Sequence, residues 1–567
     1  MFASLYSNEE LKVNMVYKSL YFFLLFLVSL TVSADDDGQW QPEWLADGEV
    51  VVADGAWGVP KSQALAVGGK HAIAGTSAPF AIRAGLDVLN QGGSAADAAM
   101  TTALGQIAIS VGSWVSYAGI FQMLYYDAET GTVQNINAAW STVLGEKDPM
   151  SIPAPAFMTT GDMRAPPAGN INGRAVLVPG FMKGLEEVHG KYGKLPFAKL
   201  FEPSIYIAEQ GMEVSPHLEG YFDWRKGSLS RLGETRKTLL KADGSIYKTG
   251  EIFKQPALAK SLRRIAKEGA SYMYEGEWAE KLVAAVQADG GKLSMQDLKN
   301  YEVIWSEPLK TEHNGYEVLG SGSLGGRNVI TALNLARDAK IRERGHYSQS
   351  GDVLHDMVQI ANKSAFGGLI QADAGGGHSD AIVAVDQWGN VAAITHSFNG
   401  IWWGELGMVI DGITIPDSGS FQQAGVAAAG PGNRMPDPIE PVMVMQKGKP
   451  VYAFSSIANG LHYHTVTALI NTLDFGMDPK SAIDTPSLLN PGFAAASDIN
   501  SAAVLKGEYD SAVLREARAK GTNIREADME NAFWEGVGIV VGLEVDSEQG
   551  QVKAAAPYFG PGASYAR

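Results

Sequence analysis

Ser379 is the residue whose type and surroundings best suit covalent chemistry. It follows Gly375-Gly376-Gly377-His378 and stands just ahead of the apolar run Ile382-Val383-Ala384-Val385. Three glycines make the approach pliable enough to reach strained backbone conformations. The run ends in Asp386-Gln387-Trp388-Gly389-Asn390, a turn composition, after which Val391 to Phe398 returns as a second strand. Pairing about that turn, with partner positions summing to about 777, predicts Ser379 opposite Phe398 and beside Ser397 and Asn399. A strand-initial hydroxyl with two polar neighbours is a candidate nucleophile. A serine that merely caps a flexible loop fits the same residues equally well.

Other constellations weigh less. The chain has 567 residues and no cysteine, which removes disulfides, thiolate metal sites and a cysteine nucleophile. Neither the G-x-S-x-G elbow nor a G-K-[ST] phosphate loop occurs. Gly320-Ser321-Gly322-Ser323-Leu324-Gly325 satisfies G-x-G-x-x-G, but Asp338 to Arg344 lacks the acid-bearing second strand of a dinucleotide site, so a plain glycine-rich turn is expected. His462-x-His464 has no third ligand at metal spacing and reads as surface or helix-cap histidines. Tyr125, Tyr126, Trp402 and Trp403 read as core or rim aromatics. No metal or cofactor is implied. A net charge of −17, from 45 Lys plus Arg against 62 Asp plus Glu, argues against nucleic-acid partners.

The elements that must position Ser379 form a mixed α/β pattern. Ala81 to Asn90 reads as a helix broken at Gly92-Gly93, and Ser94 caps a second helix of small residues. Met182 to Tyr192, Leu258 to Lys267, Glu277 to Ala288, Thr465 to Leu473 and Ser511 to Lys520 have helical spacing. Ala381 to Val385, Val391 to Phe398, Val442 to Met445 and Val451 to Phe454 read as strands, the last two joined at Lys447-Gly448-Lys449. Asp411 to Met435 reads as a long ordered loop. At the N-terminus, the uncharged run Leu20 to Val32 is too short to span a bilayer comfortably. Lys18 before it and Val32-Ser33-Ala34 at its end predict a signal peptide cleaved after Ala34. The expected product is secreted or periplasmic, with no membrane contact once the signal is removed. An uncleaved anchor and a start at Met15 are the alternatives.

Several segments, in one order, resemble the gamma-glutamyltranspeptidase family of N-terminal-nucleophile hydrolases. They include GLDVLNQGGSAADAAMTTALG (Gly85 to Gly105), Pro179-Gly180-Phe181 with KYGKLPFAKLFEPSIYIAEQG (Lys191 to Gly211), and RIAKEGASYMYEGEWAEKL (Arg264 to Leu282). GGKLSMQDLKNYEVIWSEPL (Gly290 to Leu309), GYEVLGSGSLGG (Gly315 to Gly326), SDAIVAVDQWGNVAAITHSFN (Ser379 to Asn399) and PVMVMQKGKPVYAFSSIANG (Pro441 to Gly460) follow. The resemblance implies a four-layer αββα sandwich, α/β (α+β) in class, built from two fragments of one precursor. It divides the chain into a signal at 1–34, a large fragment at 35–378 and a small fragment at 379–567, which stay associated. Ser379 stands where the family has a catalytic threonine. The hydroxyl would be the nucleophile, and the α-amine freed by cleavage between His378 and Ser379 would be its base, suitably poised with a pKa near about 7.7–8.0.

By the same resemblance Ser397 is a second hydroxyl that holds the nucleophile, Asn399 contacts substrate, and the amides of Ala458 and Asn459 replace an oxyanion glycine pair. Departures concern the substrate. The family's glutamate-binding arginine falls near Ala138 to Trp140, where no basic residue stands, and its acidic amine-binding residue falls near Ile415 or Pro416, short of Asp417. Its paired serines fall at Asp437 and Pro438, and Asp437 would repel a carboxylate. The expected activity is an amidohydrolase or acyltransferase acting on a small amide or peptide, not on a standard γ-glutamyl group. A true gamma-glutamyltransferase and a catalytically silent binding protein are the alternatives. Homo-oligomerisation is left open.

Overall fold

The computed structural model describes residues 40–46, 49–53, 64–160, 169–366, 379–400, 404–491, 498–529, 536–558 and 560–567. The chain divides into two units, Met1–Gln41 and Pro42–Arg567, and the strands and helices among the described residues belong to the second. Ser379–Val385 and Val391–Ser397 are antiparallel neighbours inside a seven-stranded sheet. That sheet runs Ala563–Ala566, Ala72–Gly75, Ser379–Val385, Val391–Ser397, Ile120–Asp127, Thr132–Ala138, Ile304–Ser306. A second seven-stranded sheet runs Leu65–Gly68, Gln551–Ala555, Ile539–Asp546, Lys449–Ile457, Val442–Gln446, Tyr316–Gly320, Leu309–His313. Both faces of the first sheet's central strands are covered, which is why they read as unbroken apolar runs rather than alternating ones.

Three apolar cores separate the layers. Ile382, Ala384, Ala392 and Ile394 face helices Pro79–Asn90 and Ala95–Ile109. Ala381, Val383, Val391 and Ala393 face the other sheet through Met443, Ala453, Val541 and Leu543. Val442, Val444, Phe454 and Val540 close on helices Leu324–Asp338, Gly351–Phe366 and Leu461–Leu473. The expected αββα sandwich is therefore the observed architecture. The first helical pair packs closely because its glycines leave room: a Cβ at Gly105 would lie 2.7 Å from Ala81 Cβ, and one at Gly85 2.1 Å from Thr102 Oγ1.

Local signals held where they were self-contained. Ser94 closes a reciprocal capping box with Asp97, and Glu277–Ala288 has the expected bounds. Lys447 and Gly448 take φ of 51° and 76°, the paired positive values of a two-residue hairpin turn. Three expectations need correction. First, the register sums to 776, so Ser379 pairs with Ser397 and not with Phe398. Asp386 sets this: its carboxylate accepts Trp388 N–H (2.9 Å), Asn390 N–H (3.0 Å) and Asn390 Nδ2 (2.7 Å), holding a five-residue connection between Val385 and Val391. Second, Asp411 to Met435 contains strand Ile413–Ile415 and helix Gln423–Ala429, because its alanines are helix formers that its glycines and prolines obscured. Third, His462 and His464 are buried in a helix beginning at Leu461, bonded to Glu440 and Ser364 and to two backbone carbonyls respectively. Among the described residues, no helix is long and apolar enough to cross a membrane. The signal segment ending at Ala34, His378, Trp402 and Trp403 lie outside the described residues.

Candidate active site

The one-residue register change matters because strand side chains alternate faces. Ser379 and Ser397, directly opposite, share the face turned toward the second sheet, and Ser379 Oγ donates to Ser397 Oγ at 2.8 Å. Ser397 Oγ also accepts the Asn399 backbone N–H at 2.8 Å. Asn399 makes this bend with φ of 53°, a left-handed value that asparagine tolerates better than most residues. Its side-chain amide donates to Asp437 Oδ1 at 3.3 Å, and its carbonyl accepts Gln422 Nε2 at 3.0 Å. The result is one hydrogen-bonded chain, Asp437–Asn399–Ser397–Ser379, with Ser379 only 3% exposed.

Asp437 is buried and also accepts Gln122 Nε2 (3.3 Å) and the Ile439 N–H (3.2 Å). Burial pushes its carboxyl up to about 6, while those hydrogen bonds and nearby Arg434 pull the other way. On the reverse face, Asp380 accepts Trp114 Nε1 at 2.9 Å and Thr76 Oγ1 at 3.2 Å, and burial pushes it up to about 7. Its strand partner His396 bonds Gln106 at 2.8 Å and is lowered to about 3 by burial, so its imidazole is neutral. Both groups face the helical layer, away from the Ser379 hydroxyl.

Ala458 and Asn459 follow strand Lys449–Ile457 of the second sheet. That strand meets the sheet carrying Ser379 through Ser455 Oγ, which lies 2.6 Å from Thr395 Oγ1 and donates to Ile394 O at 2.8 Å. Ala458 is buried with φ of 71°, so it keeps a conformation that glycine adopts freely. Asn459 O accepts Asn490 Nδ2 at 2.9 Å. Asp417 instead accepts the Glu405 and Leu406 amides, and burial raises it to about 6 against the pull of Arg225.

Arg434 is the residue that local sequence patterns do not reveal. Its guanidinium donates to Ala139 O, Tyr301 Oη and Glu302 O and lies 4.4 Å from the Tyr301 ring centroid. The segment Ala138 to Trp140, which carries no cation of its own, is thus covered by one arriving from far along the chain. Met435 N–H bonding Trp140 O at 2.8 Å fixes that approach, and nothing in the flanking residues announces it. Among the described residues, no group of three or more His, Asp or Glu is arranged to hold a metal ion.

The gamma-glutamyltranspeptidase family model matches residues 81–372 and 371–564. Glutathione hydrolase proenzyme 1 of Schizosaccharomyces pombe is 30% identical over 283 residues, which span half of this chain and only 43% of that protein. Acylase ACY 1 proenzyme of Pseudomonas sp. (strain SE83) is 24% identical over 479 residues, covering 75% of this chain and 83% of the other. The crystal structure of cephalosporin acylase from Bacillus halodurans superposes with a TM-score of 0.72 at 22% identity, over 90% of this chain and 98% of that one. A family match across both halves, joined at the glycine-rich lead-in to Ser379, means that the chain belongs to the gamma-glutamyltranspeptidase family of N-terminal-nucleophile hydrolases.

Proposed function

We propose that this chain is an exported, self-processing amidohydrolase or acyltransferase whose nucleophile is Ser379, serving in place of threonine. The observation that carries the reading is the Ser379–Ser397 hydroxyl pair on one face of a buried sheet, at the end of a glycine-rich segment. In processing, Ser379 Oγ adds to the His378 carbonyl carbon, the C–N bond to Ser379 breaks, and water hydrolyses the resulting ester. The products are a carboxylate at His378 and a free amine on Ser379. In turnover that amine takes the Ser379 hydroxyl proton as Oγ attacks an amide substrate. The Ala458 and Asn459 amides receive the oxyanion, the amine leaving group departs protonated, and water or another amine accepts the acyl group. Ser397 holds the hydroxyl, Asn399 contacts substrate, and Asp437 orients Asn399.

Asp437 stands where family resemblance calls for a serine and is ionised above about pH 6, so it disfavours a second carboxylate beside it. That supports an acyl group other than a standard γ-glutamyl, and one similar protein is an acylase proenzyme. The glutathione hydrolase reading draws on Arg434, which supplies a guanidinium beside Ala139. Denaturing electrophoresis and N-terminal sequencing decide the central point. Purified protein should give fragments starting at Asp35 and Ser379, and Ser379→Ala should stay whole at the second site. An uncut wild type that binds ligand without turnover would leave a silent binding protein. Chromophore release from a γ-glutamyl anilide, compared with neutral acyl anilides, separates the two enzyme readings.

A further inference from the structure

Glu440, His462 and Ser364 form a buried polar trio that the hydrogen-bonded chain at Ser379 does not include. His462 Nδ1 lies 2.7 Å from Glu440 Oε1, and its Nε2 lies 2.7 Å from Ser364 Oγ. The ring thus meets a carboxylate on one side and a hydroxyl on the other, which fixes its orientation. All three residues are buried, and their chain neighbours Ala361, Val442 and Tyr463 belong to the apolar core between the second sheet and its helices. Apolar side chains of similar volume would serve the stability of such a layer as well or better. The trio therefore calls for a role in placing the segments it joins.

Those segments converge on the site. Glu440 ends the stretch that begins at Asp437, the residue that holds Asn399. That stretch is pinned: Ser323 Oγ and Gly325 N–H donate to Asp437 O at 2.7 and 3.0 Å, and a Cβ at Gly325 would lie 2.3 Å from Ile439 O. His462 stands in the first turn of helix Leu461–Leu473, directly after Ala458 and Asn459. Ser364 stands in the last turn of helix Gly351–Phe366, the last element before Ser379 among the described residues. Ala458 keeps its φ of 71° only because its surroundings over-determine it. Gly460 N–H donates to Val537 O at 3.0 Å and Asn490 Nδ2 to Asn459 O at 2.9 Å, and His462 adds the tie to Glu440.

We propose that His462 is a positioning residue for the Ser379 site. Through Glu440 it sets the Ala458–Asn459 turn against the stretch that holds Asn399, and through Ser364 it fixes the helix that precedes the cut. The inference rests on Ser379 as nucleophile and on those two amides as oxyanion donors. Such amides bind the charge that develops in the transition state, so displacing them lowers kcat and leaves KM in place.

The test separates positioning from packing. The double variant His462→Leu/Glu440→Leu replaces the pair by apolar side chains, so its unfolding midpoint should equal or exceed that of the wild type. With the anilide that the wild type cleaves, its kcat should nevertheless fall about tenfold with KM unchanged, and its fragments should form about tenfold more slowly after synthesis in vitro. Glu440→Gln, which still accepts from Nδ1, should keep kcat within about threefold of the wild type. Ser364→Ala deletes one oxygen and should slow fragment formation about tenfold, which decides the matter if the double variant does not fold. Where no anilide is cleaved, fragment formation alone decides. Variants as fast as the wild type, or a double variant whose kcat and midpoint fall together, would overturn this inference alone. A wild type that neither cuts itself nor cleaves an anilide would remove the assignment of Ser379, and this inference with it.

Discussion

At the scale of single residues, Ser397 does more than neighbour Ser379: its oxygen receives both the Ser379 hydroxyl and the Asn399 amide. Ser397→Ala removes both bonds without adding bulk. It should slow self-cleavage and acyl transfer about 10- to 100-fold, measured by the appearance of fragments and by single-turnover acylation, with the fold intact. A variant as fast as wild type would reduce Ser397 to packing. The buried acids define a pH dependence. Asp380 is raised to about 7 and Asp437 to about 6 from an ordinary 3.8. Between those limits the folded chain keeps protons that the unfolded chain has released. Their contribution to stability therefore falls as pH rises from about 4 to about 7, then stays level. Asp380→Asn cannot ionise, so relative to wild type it should gain stability from pH 5 to pH 8. Denaturant midpoints at those two pH values check this, and a pH-independent difference would refute it.

At the scale of elements, the turn at Asp386 decides the site. Its carboxylate also accepts the Ala95 N–H at 2.9 Å, joining the turn between the two central strands to the start of helix Ala95–Ile109. Asp386→Ala strands several buried donors and frees the register, at a cost of about 3 kcal/mol or more. Ser94→Ala, which loses one helix cap, costs about 1 kcal/mol. Denaturant unfolding should rank the two in that order, and only Asp386→Ala should also slow fragment formation. Ala458 carries the opposite expectation. Its φ of 71° is strained for an L-residue, so Ala458→Gly should be neutral or stabilising by up to about 1 kcal/mol, read as an unchanged or higher unfolding midpoint.

At the scale of the whole molecule, a cut before Ser379 would not separate two domains. Ser379–Val385 lies between Ala72–Gly75 and Val391–Ser397, which in turn pairs with Ile120–Asp127, and Ala563–Ala566 closes against Ala72–Gly75. Strands from either side of the cut interleave through the sheets. Processed protein should therefore elute as one species in size-exclusion chromatography while running as two bands under denaturing conditions. Fragments that elute apart would contradict this interleaving.

Much of this was legible in the chain because the controlling interactions are local. Ser94 and Asp97 lie three residues apart, glycines and alanines announce close helix packing, and unbroken apolar runs mark strands covered on both faces. The same locality made Ser379 and its polar neighbours visible, together with the family order of motifs. The tertiary structure decided what depends on distant partners. Asp386 set the register that pairs Ser379 with Ser397, and Asp437 came to hold Asn399 across 38 positions. Arg434 was carried to the Ala139 carbonyl across 295 positions. Hydrophobic periodicity records which face of an element is buried; which polar groups then meet is set by how the layers close, and no local pattern encodes that.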